Sequence, residues 1–179
     1  MRRVVQHLKN HFELFGLTPA FALDPDRLDG AYREIQARIH PDRFAHAGDA
    51  ERRASMQWTT HVNEAYRTLK NPVQRGRYLL SLQGVDIGAE DNTAMSQDFL
   101  VRQMEWREQL EAARGEKNAD ALQRLRAELR GERGDLEARI GARIDAEHDA
   151  KGAADLVRRL MFLEKFDDDI DAAFETIEA

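Results

Sequence analysis

The chain has 179 residues, of which 42% are hydrophobic and 34% charged. This composition suits a soluble, helix-rich protein rather than a disordered chain. No apolar run approaches the roughly 20 residues that a bilayer-spanning helix needs, and the polar residues among the first 17 make a poor secretory signal. The absence of cysteine excludes disulfides, thiol catalysis and cysteine-ligated zinc or iron–sulfur centres within the chain.

Charge divides the sequence into two unlike halves. Residues 1–84 carry 13 Lys and Arg against 9 Asp and Glu, whereas residues 85–179 carry 14 against 24. Such asymmetry predicts two modules with different partners. The acidic half also argues against a nucleic-acid ligand, because phosphate binding requires a basic surface.

The first half has the helical period throughout. A helix is expected to begin at Asp24-Pro25, since Asp24 can cap it and Pro25 suits the first helical position. It should end near His40, because Pro41 disfavours the helical conformation in the residue before it. Its apolar face combines Leu28, Tyr32, Ile35 and Ile39.

A second helix is predicted from about residue 50 to 70, ended by Asn71-Pro72. A shorter amphipathic piece follows over residues 75–82 and closes at Gly84. Two long helices with a short loop between them form an antiparallel hairpin. The apolar face of the second helix comprises Trp58, Val62, Ala65, Tyr66 and Leu69.

Residues 85–96 are polar and glycine-containing, and we interpret them as a linker. Three amphipathic helices are predicted beyond it, at about 97–114, 118–148 and 152–177, and short connections favour a bundle. The expected fold is therefore all-α, with a hairpin domain at 1–84 and a three-helix domain at 97–179.

The tripeptide His40-Pro41-Asp42 stands between the two long helices, where a simple turn would also explain Pro and Asp. Its surroundings make the sequence resemble the HscB branch of the J-domain proteins. The resemblance extends over roughly residues 11–175. It rests on FELFGL (12–17), HPDRF (40–44), NEAYRTL (63–69), RGRYLL (75–80), FLV (99–101) and EWRE (105–108).

The resemblance implies an N-terminal J domain that docks on a DnaK/HscA-type chaperone and stimulates its ATPase. The implied chaperone-binding residues are His40, Pro41, Asp42, Tyr32, Arg33, Arg38 and Arg43. Tyr32 also lies on the core face, so packing is an equal reading of it. Glu34 and Gly76 depart from the family pattern, and residues 1–10 form an extension without an assigned role. A cysteine motif found in some eukaryotic relatives is missing, which favours a bacterial, cytoplasmic form.

The helix predicted at 97–114 has more apolar residues than one buried face requires. If Phe99, Trp106 and Leu110 point inward, then Leu100, Val101 and Met104 point away, at 100° per residue. Exposed apolar residues beside charge indicate a protein-binding patch, although scattered surface apolar residues are normal. The family implies that this patch binds an IscU-type iron–sulfur scaffold protein. The implied scaffold-binding set is Leu100, Val101, Met104, Glu105, Glu108 and Phe162. Phe162 lies off the apolar stripe of the last predicted helix, so it is likewise expected to face outward.

Other readings stay open at this point. A general J protein for unfolded clients would need a Gly/Phe-rich region and zinc-binding cysteines, which the sequence lacks. An enzyme or metalloprotein using His40 and Asp42 would need further ligands. His7 and His11 have helical metal-binding spacing without an evident third ligand, and the acidic residues at 167–171 lack calcium-loop spacing. We therefore expect no catalytic residues, cofactor, metal, nucleic acid or membrane partner.

Overall fold

The computed structural model describes residues 10–40, 48–87 and 95–178. The chain forms two compact units, Met1–Leu79 and Leu80–Ala179. The described residues are helical, with turns and loops between the helices and no strand among them, so the predicted all-α class is confirmed. Residues 1–9 of the predicted extension at 1–10, most of the linker (88–94), and Pro41, Asp42 and Arg43 lie outside the described residues. The predicted domain boundaries stay a prediction.

The first unit contains α1 (His11–Leu14), α2 (Pro25–Ile39), α3 (Asp49–Lys70) and the start of α4 (Pro72–Leu82). Asp24 caps α2 as expected, because its Oδ1 accepts the backbone N–H groups of Asp26 at 3.0 Å and Arg27 at 3.3 Å. Asn71 ends α3 and begins α4, where its Oδ1 accepts the Gln74 N–H at 2.9 Å. The predicted start of α4 at residue 75 was therefore late by one turn.

The core of the first unit comes from all of its helices and from the segment between α1 and α2. The buried set includes Phe12, Phe15, Phe21, Leu28, Ile39, Val62, Ala65, Leu69 and Val73. One charged side chain joins it. Arg75 donates through Nη1 to the Leu69 carbonyl at 2.7 Å, and its guanidinium lies 5.0 Å from the Phe21 ring centroid. A buried polar group needs such partners, because leaving it unpaired costs about 1–3 kcal/mol.

The second unit is built on α5 (Gln97–Gly115), α6 (Ala119–Gly141) and α7 (Ala150–Glu178). Ser96 caps α5, Asn118 caps α6, and Asp149 accepts the Gly152 N–H at 2.9 Å at the start of α7. A Cβ at position 152 would lie 2.0 Å from Asp149 Oδ2, so a larger residue there would force the Asp149 carboxylate to move. The predicted three-helix domain is thus present, with its core between these helices.

The second helix of this unit differs from its prediction. The sequence indicated one helix over 118–148, whereas the α-helix ends at Gly141 and a π-helical turn covers Ala142–Ala146. The turn keeps Ile144 buried, and the chain then leaves the helix through His148 at a φ of 54°. A segment of five residues is too short for the apolar pattern to distinguish α-helical i→i+4 bonding from π-helical i→i+5 bonding.

A row of aromatic rings attaches α1 to the rest of the first unit. The His11 ring stacks on Tyr78 with centroids 4.3 Å apart, and it meets the His61 ring edge-on at 5.7 Å. The backbone N–H of His11 donates to the Tyr78 hydroxyl at 2.9 Å. Burial lowers the pKa of His11, the neighbouring His61 lowers it further, and Glu64 partly opposes both effects.

This lowered pKa predicts an acid-labile first unit. The unfolded state takes up a proton at the ordinary pKa of 6.5, whereas folded His11 resists protonation. The stabilisation is therefore complete above that pH and declines as pH falls through the interval below it. In the full chain, His11→Phe keeps a ring on Tyr78 and should flatten the stability change between about pH 7.5 and 5.5. Urea unfolding of both proteins at both pH values gives this change in the free energy of unfolding. A change as large in His11→Phe as in the wild type would contradict the prediction.

Candidate functional site

The C-terminal end of α2 is fastened to α3 by a buried hydroxyl. The Ser55 hydroxyl donates to the Ile39 carbonyl at 2.8 Å, and Thr59 reaches the same oxygen at 3.5 Å. Ser55 is only 7% exposed. The next residue, His40, is exposed and leaves the helix with φ −53° and ψ 130°, the extended conformation that a following proline favours. His40 is therefore presented to solvent from a fixed point on the unit.

Tyr32 takes part in the packing between α2 and α3. Its ring stacks on that of Tyr66 with centroids 4.0 Å apart, and its hydroxyl donates to Asn63 Oδ1 at 3.0 Å. Gln36 donates to the Tyr32 hydroxyl at 3.1 Å and also to Asn63 Oδ1. Tyr32 thus has the packing role that the sequence offered as an equal reading, and its chaperone contact stays a prediction.

A polar cluster continues this helix contact on the other side of Tyr66. Its hydroxyl donates to Asp29 Oδ1 at 2.9 Å, and Lys70 Nζ donates to the same oxygen at 3.0 Å. Hydrogen bonds from Lys70 and Tyr66 hold the pKa of Asp29 below its usual range. The hydrogen bond to Tyr66 and the one to Asp29 raise the pKa of Lys70. These contacts connect the start of α2 with the end of α3.

The exposed side of α2 carries the predicted basic residues. Arg33 is exposed, and its Nε donates to the Asp29 carbonyl at 3.2 Å. Arg38 is also exposed and forms an ion pair with Glu34 at 3.0 Å, one helical turn earlier. Because Glu34 partly neutralises this surface, its basic character depends mainly on Arg33. The remaining predicted residues here, Pro41, Asp42 and Arg43, lie outside the described part.

Helix α5 of the second unit exposes three apolar side chains. Leu100 is 37% exposed, Val101 55% and Met104 61%, as the helical period predicted. Glu105 and Glu108 are exposed on the same helix. We call Leu100, Val101, Met104, Glu105 and Glu108 the α5 patch. A contiguous apolar surface of this kind beside charged residues is typical of a protein-binding site.

The aromatic cluster beneath the α5 patch corrects the prediction for Phe162, which was expected to face outward. Phe162 on α7 is only partly exposed. Its ring stacks on Trp106 at 6.2 Å and on Phe166 at 5.6 Å, and meets Phe99 edge-on at 5.8 Å between centroids. The single-helix period placed Phe162 off the apolar stripe of α7, but α5 approaches that side and covers much of the ring.

Trp106 is the centre of this cluster and is fully buried. Its indole Nε1 donates to Glu128 Oε1 of α6 at 2.9 Å, and Arg102 pairs with the same oxygen at 2.9 Å. The Arg102 guanidinium lies 5.4 Å from the Trp106 ring centroid. The indole N–H is thereby satisfied, and the inward face of α5 is fixed.

The described residues include neither a group of three metal-ligating side chains nor a bilayer-spanning helix. Within them, no three His, Cys, Asp or Glu side chains are arranged to hold a metal ion, and His7 of the proposed His7–His11 pair is not among them. No helix in these ranges combines the length and apolarity needed to cross a bilayer. The acidic end of α7 is partly neutralised, because Arg126 pairs with Asp167 at 3.1 Å and with Asp171.

Comparisons with known proteins agree with this architecture. Residues 95–171 match a family model described as the HSCB C-terminal oligomerisation domain. A curated "Co-chaperone protein HscB homolog" of Burkholderia mallei is 55% identical over 94% of this chain and 96% of its own length. The chain belongs to the HscB family of co-chaperones.

Solved HscB structures share the whole fold. HscB from Vibrio cholerae superposes with a TM-score of 0.82 at 34% identity, over 94% of this chain and 99% of the other. Human HscB superposes with a TM-score of 0.87 at 25% identity, over 93% and 82%. The J-domain and helical C-terminal architecture predicted for an HscB protein is therefore confirmed.

Sequence reasoning about this HscB chain missed two positioning residues. Ser55 is a small polar residue inside a long helix, where nothing in the local pattern indicates a bond to a carbonyl 16 residues earlier. Glu128 resembles any surface glutamate of α6, although it accepts both the Trp106 N–H and an Arg102 ion pair. Their roles depend on contacts between helices, which no periodicity reports.

Ser55→Ala should destabilise the first unit (Met1–Leu79, the J unit) by about 0.5–1.5 kcal/mol, because it removes one buried hydrogen bond to Ile39. Thr60→Ala is the matched control, since the Thr60 hydroxyl is exposed and bonds only within its own helix, to Met56 O at 3.1 Å. Denaturant unfolding of the full chain measures both variants. Equal midpoints for Ser55→Ala and Thr60→Ala would contradict the anchoring role.

Proposed function

We propose that this co-chaperone binds an IscU-type iron–sulfur scaffold protein through the α5 patch and delivers it to a DnaK/HscA-type chaperone. The J unit stimulates the ATPase of that chaperone through the loop that begins at His40. The protein supplies binding energy and performs no catalysis itself, so it needs no cofactor. It acts in the bacterial cytoplasm.

The observation that carries the proposal is the exposed apolar row of α5 in an HscB-family chain. Leu100, Val101 and Met104 remain in solvent even though Trp106 on the same helix is completely buried. Leaving such side chains exposed forgoes hydrophobic stabilisation of about 25 cal/mol per Å². Binding to a partner recovers it, which accounts for a dedicated client surface on this unit.

The same observation favours a co-chaperone with one dedicated client over the alternative, a general J protein for unfolded clients. A fixed helix face with three apolar residues and two carboxylates suits one complementary folded surface. Unfolded clients are instead accommodated by adaptable surfaces that can re-pack. The rigid support from Trp106, Phe99 and Phe166 does not provide such adaptability.

His40→Gln tests the chaperone half of the proposal. The side chain is exposed at the end of α2, so its replacement should leave helical content and melting temperature unchanged. ATPase stimulation of a DnaK-type partner should fall to the basal rate, because the loop loses its contact. Circular dichroism and steady-state ATP turnover measure the two effects. Stimulation at the wild-type level would refute the J-domain mechanism.

The double variant Leu100→Ala, Met104→Ala tests the scaffold half. It should weaken scaffold binding at least about tenfold, since each change removes exposed apolar area that the complex buries. Its melting temperature should remain near wild type, and basal chaperone stimulation should persist. Isothermal titration calorimetry with an IscU-type scaffold and parallel ATPase assays separate these effects.

Phe162→Ala serves as the contrasting variant for the same experiment. Because Phe162 packs on Trp106 and Phe166, its truncation should cost roughly 2–5 kcal/mol of stability. Weaker scaffold binding by Phe162→Ala could follow from this loss of stability, so by itself it would not show that Phe162 contacts the scaffold. If the double α5 variant melted as low as Phe162→Ala, or bound the scaffold normally, the α5 patch would not be the client surface.

A further inference from the structure

Arg107 lies at the edge of the α5 patch. It is exposed on α5, and its guanidinium lies 5.7 Å from the centroid of the Phe162 ring on α7. A cation over an aromatic face is attracted by the ring quadrupole and is held in a defined position. The long side chain of Arg107 is therefore oriented before any partner arrives.

Arg107 differs from most arginines of its unit in having no carboxylate partner among the described residues. Arg102, Arg114, Arg126, Arg133, Arg143 and Arg159 each form an ion pair within the unit. Glu111, one turn after Arg107, pairs instead with Arg114 at 3.1 Å. The charge of Arg107 is thus available to an external anion.

The helical period places Arg107 opposite the carboxylates of the patch. Leu100 and Arg107 are seven residues apart and share the side of α5 that faces Phe162. Glu105 and Glu108 share the other side with Val101, and Met104 lies between the two sides. Across the patch, the order is a cation, an apolar centre and two anions.

We propose that Arg107 binds a carboxylate of the client and so fixes the orientation in which the client docks on the α5 patch. This inference rests on the proposed function and adds which kinds of side chain the client presents to the α5 patch. The client presents an acidic side chain to Arg107, an apolar surface to Leu100 and Met104, and basic side chains to Glu105 and Glu108. A reversed orientation would place like charges together, which discriminates against it.

Three full-length variants test this with an IscU-type scaffold as the titrant. Arg107→Met retains an unbranched side chain over Phe162 but removes the charge, Arg107→Glu reverses it, and Arg130→Glu is the control. Arg130 is exposed on α6, so its reversal changes net charge equally without touching α5. Calorimetry at low and high salt, with thermal melting of each variant, gives affinity, salt dependence and stability separately.

We expect Arg107→Glu to weaken binding about tenfold or more, the factor that corresponds to about 1.4 kcal/mol. Arg107→Met should weaken it less and should reduce its salt dependence, whereas Arg130→Glu should bind like wild type. All three should melt near wild type. The combination of lost affinity, altered salt dependence and retained stability is the signature of a contact with a charged partner group.

Several results would overturn the inference. Tighter binding by Arg107→Met would show that Arg107 repels the client, and unchanged binding by both Arg107 variants would show no contact. A loss of affinity that follows a loss of melting temperature would give Arg107 a purely structural role over Phe162. If Leu100→Ala, Met104→Ala abolishes binding while both Arg107 variants bind normally, only this inference fails. If the wild type does not bind the scaffold, the proposed function fails with it.

Discussion

The burial of Trp106 is the constraint on which the second unit depends. A fully buried indole must have its N–H satisfied, and Glu128 of α6 provides the acceptor at 2.9 Å. The ring also meets Phe99, Phe162 and Phe166, so α5 contacts α6 and α7 through one side chain. Because this face of α5 points into the core, residues on its other faces cannot be buried there as well.

The exposure of the α5 patch is a consequence of that arrangement. Helix α5 has apolar residues on more than one side, and a helix in a three-helix bundle can bury only one stripe. Leu100, Val101 and Met104 are left exposed because Phe99, Trp106 and Leu110 occupy the inward positions. The aromatic cluster beneath supports a rigid patch, which lowers the entropic cost of binding a folded partner.

In the J unit, packed rings and satisfied polar groups likewise hold one helix on another, here α2 on α3. The Tyr32–Tyr66 stack and the Asp29–Lys70 pair connect α2 with α3 along one stretch of their contact, and the Ser55 hydroxyl fastens the end of α2. Each contact combines packing with a satisfied polar group, which a half-buried helix pair requires. The result is that His40 emerges from a fixed helix end, as a loop used for recognition needs.

The sequence by itself determined the elements and much of the surface. Asp24-Pro25, Asn71-Pro72 and the apolar period predicted helix limits to within a turn in most cases, because caps and prolines act locally. The same period predicted that Leu100, Val101 and Met104 would be exposed, since their positions follow from the helix geometry of α5 alone. The motifs around His40 and Trp106 identified the family.

Only the tertiary structure decided features that depend on a second helix. Phe162 was predicted to face outward and is half-buried, because α5 approaches a side of α7 that the period of α7 cannot reveal. Ser55 and Glu128 have roles through partners 16 and 22 residues away, and the apolar period of α6 did not predict the π-helical turn at Ala142–Ala146. Arg107 looks like any surface arginine until the packing places it over Phe162, since a contact between helices is set by distance in space and not by sequence spacing.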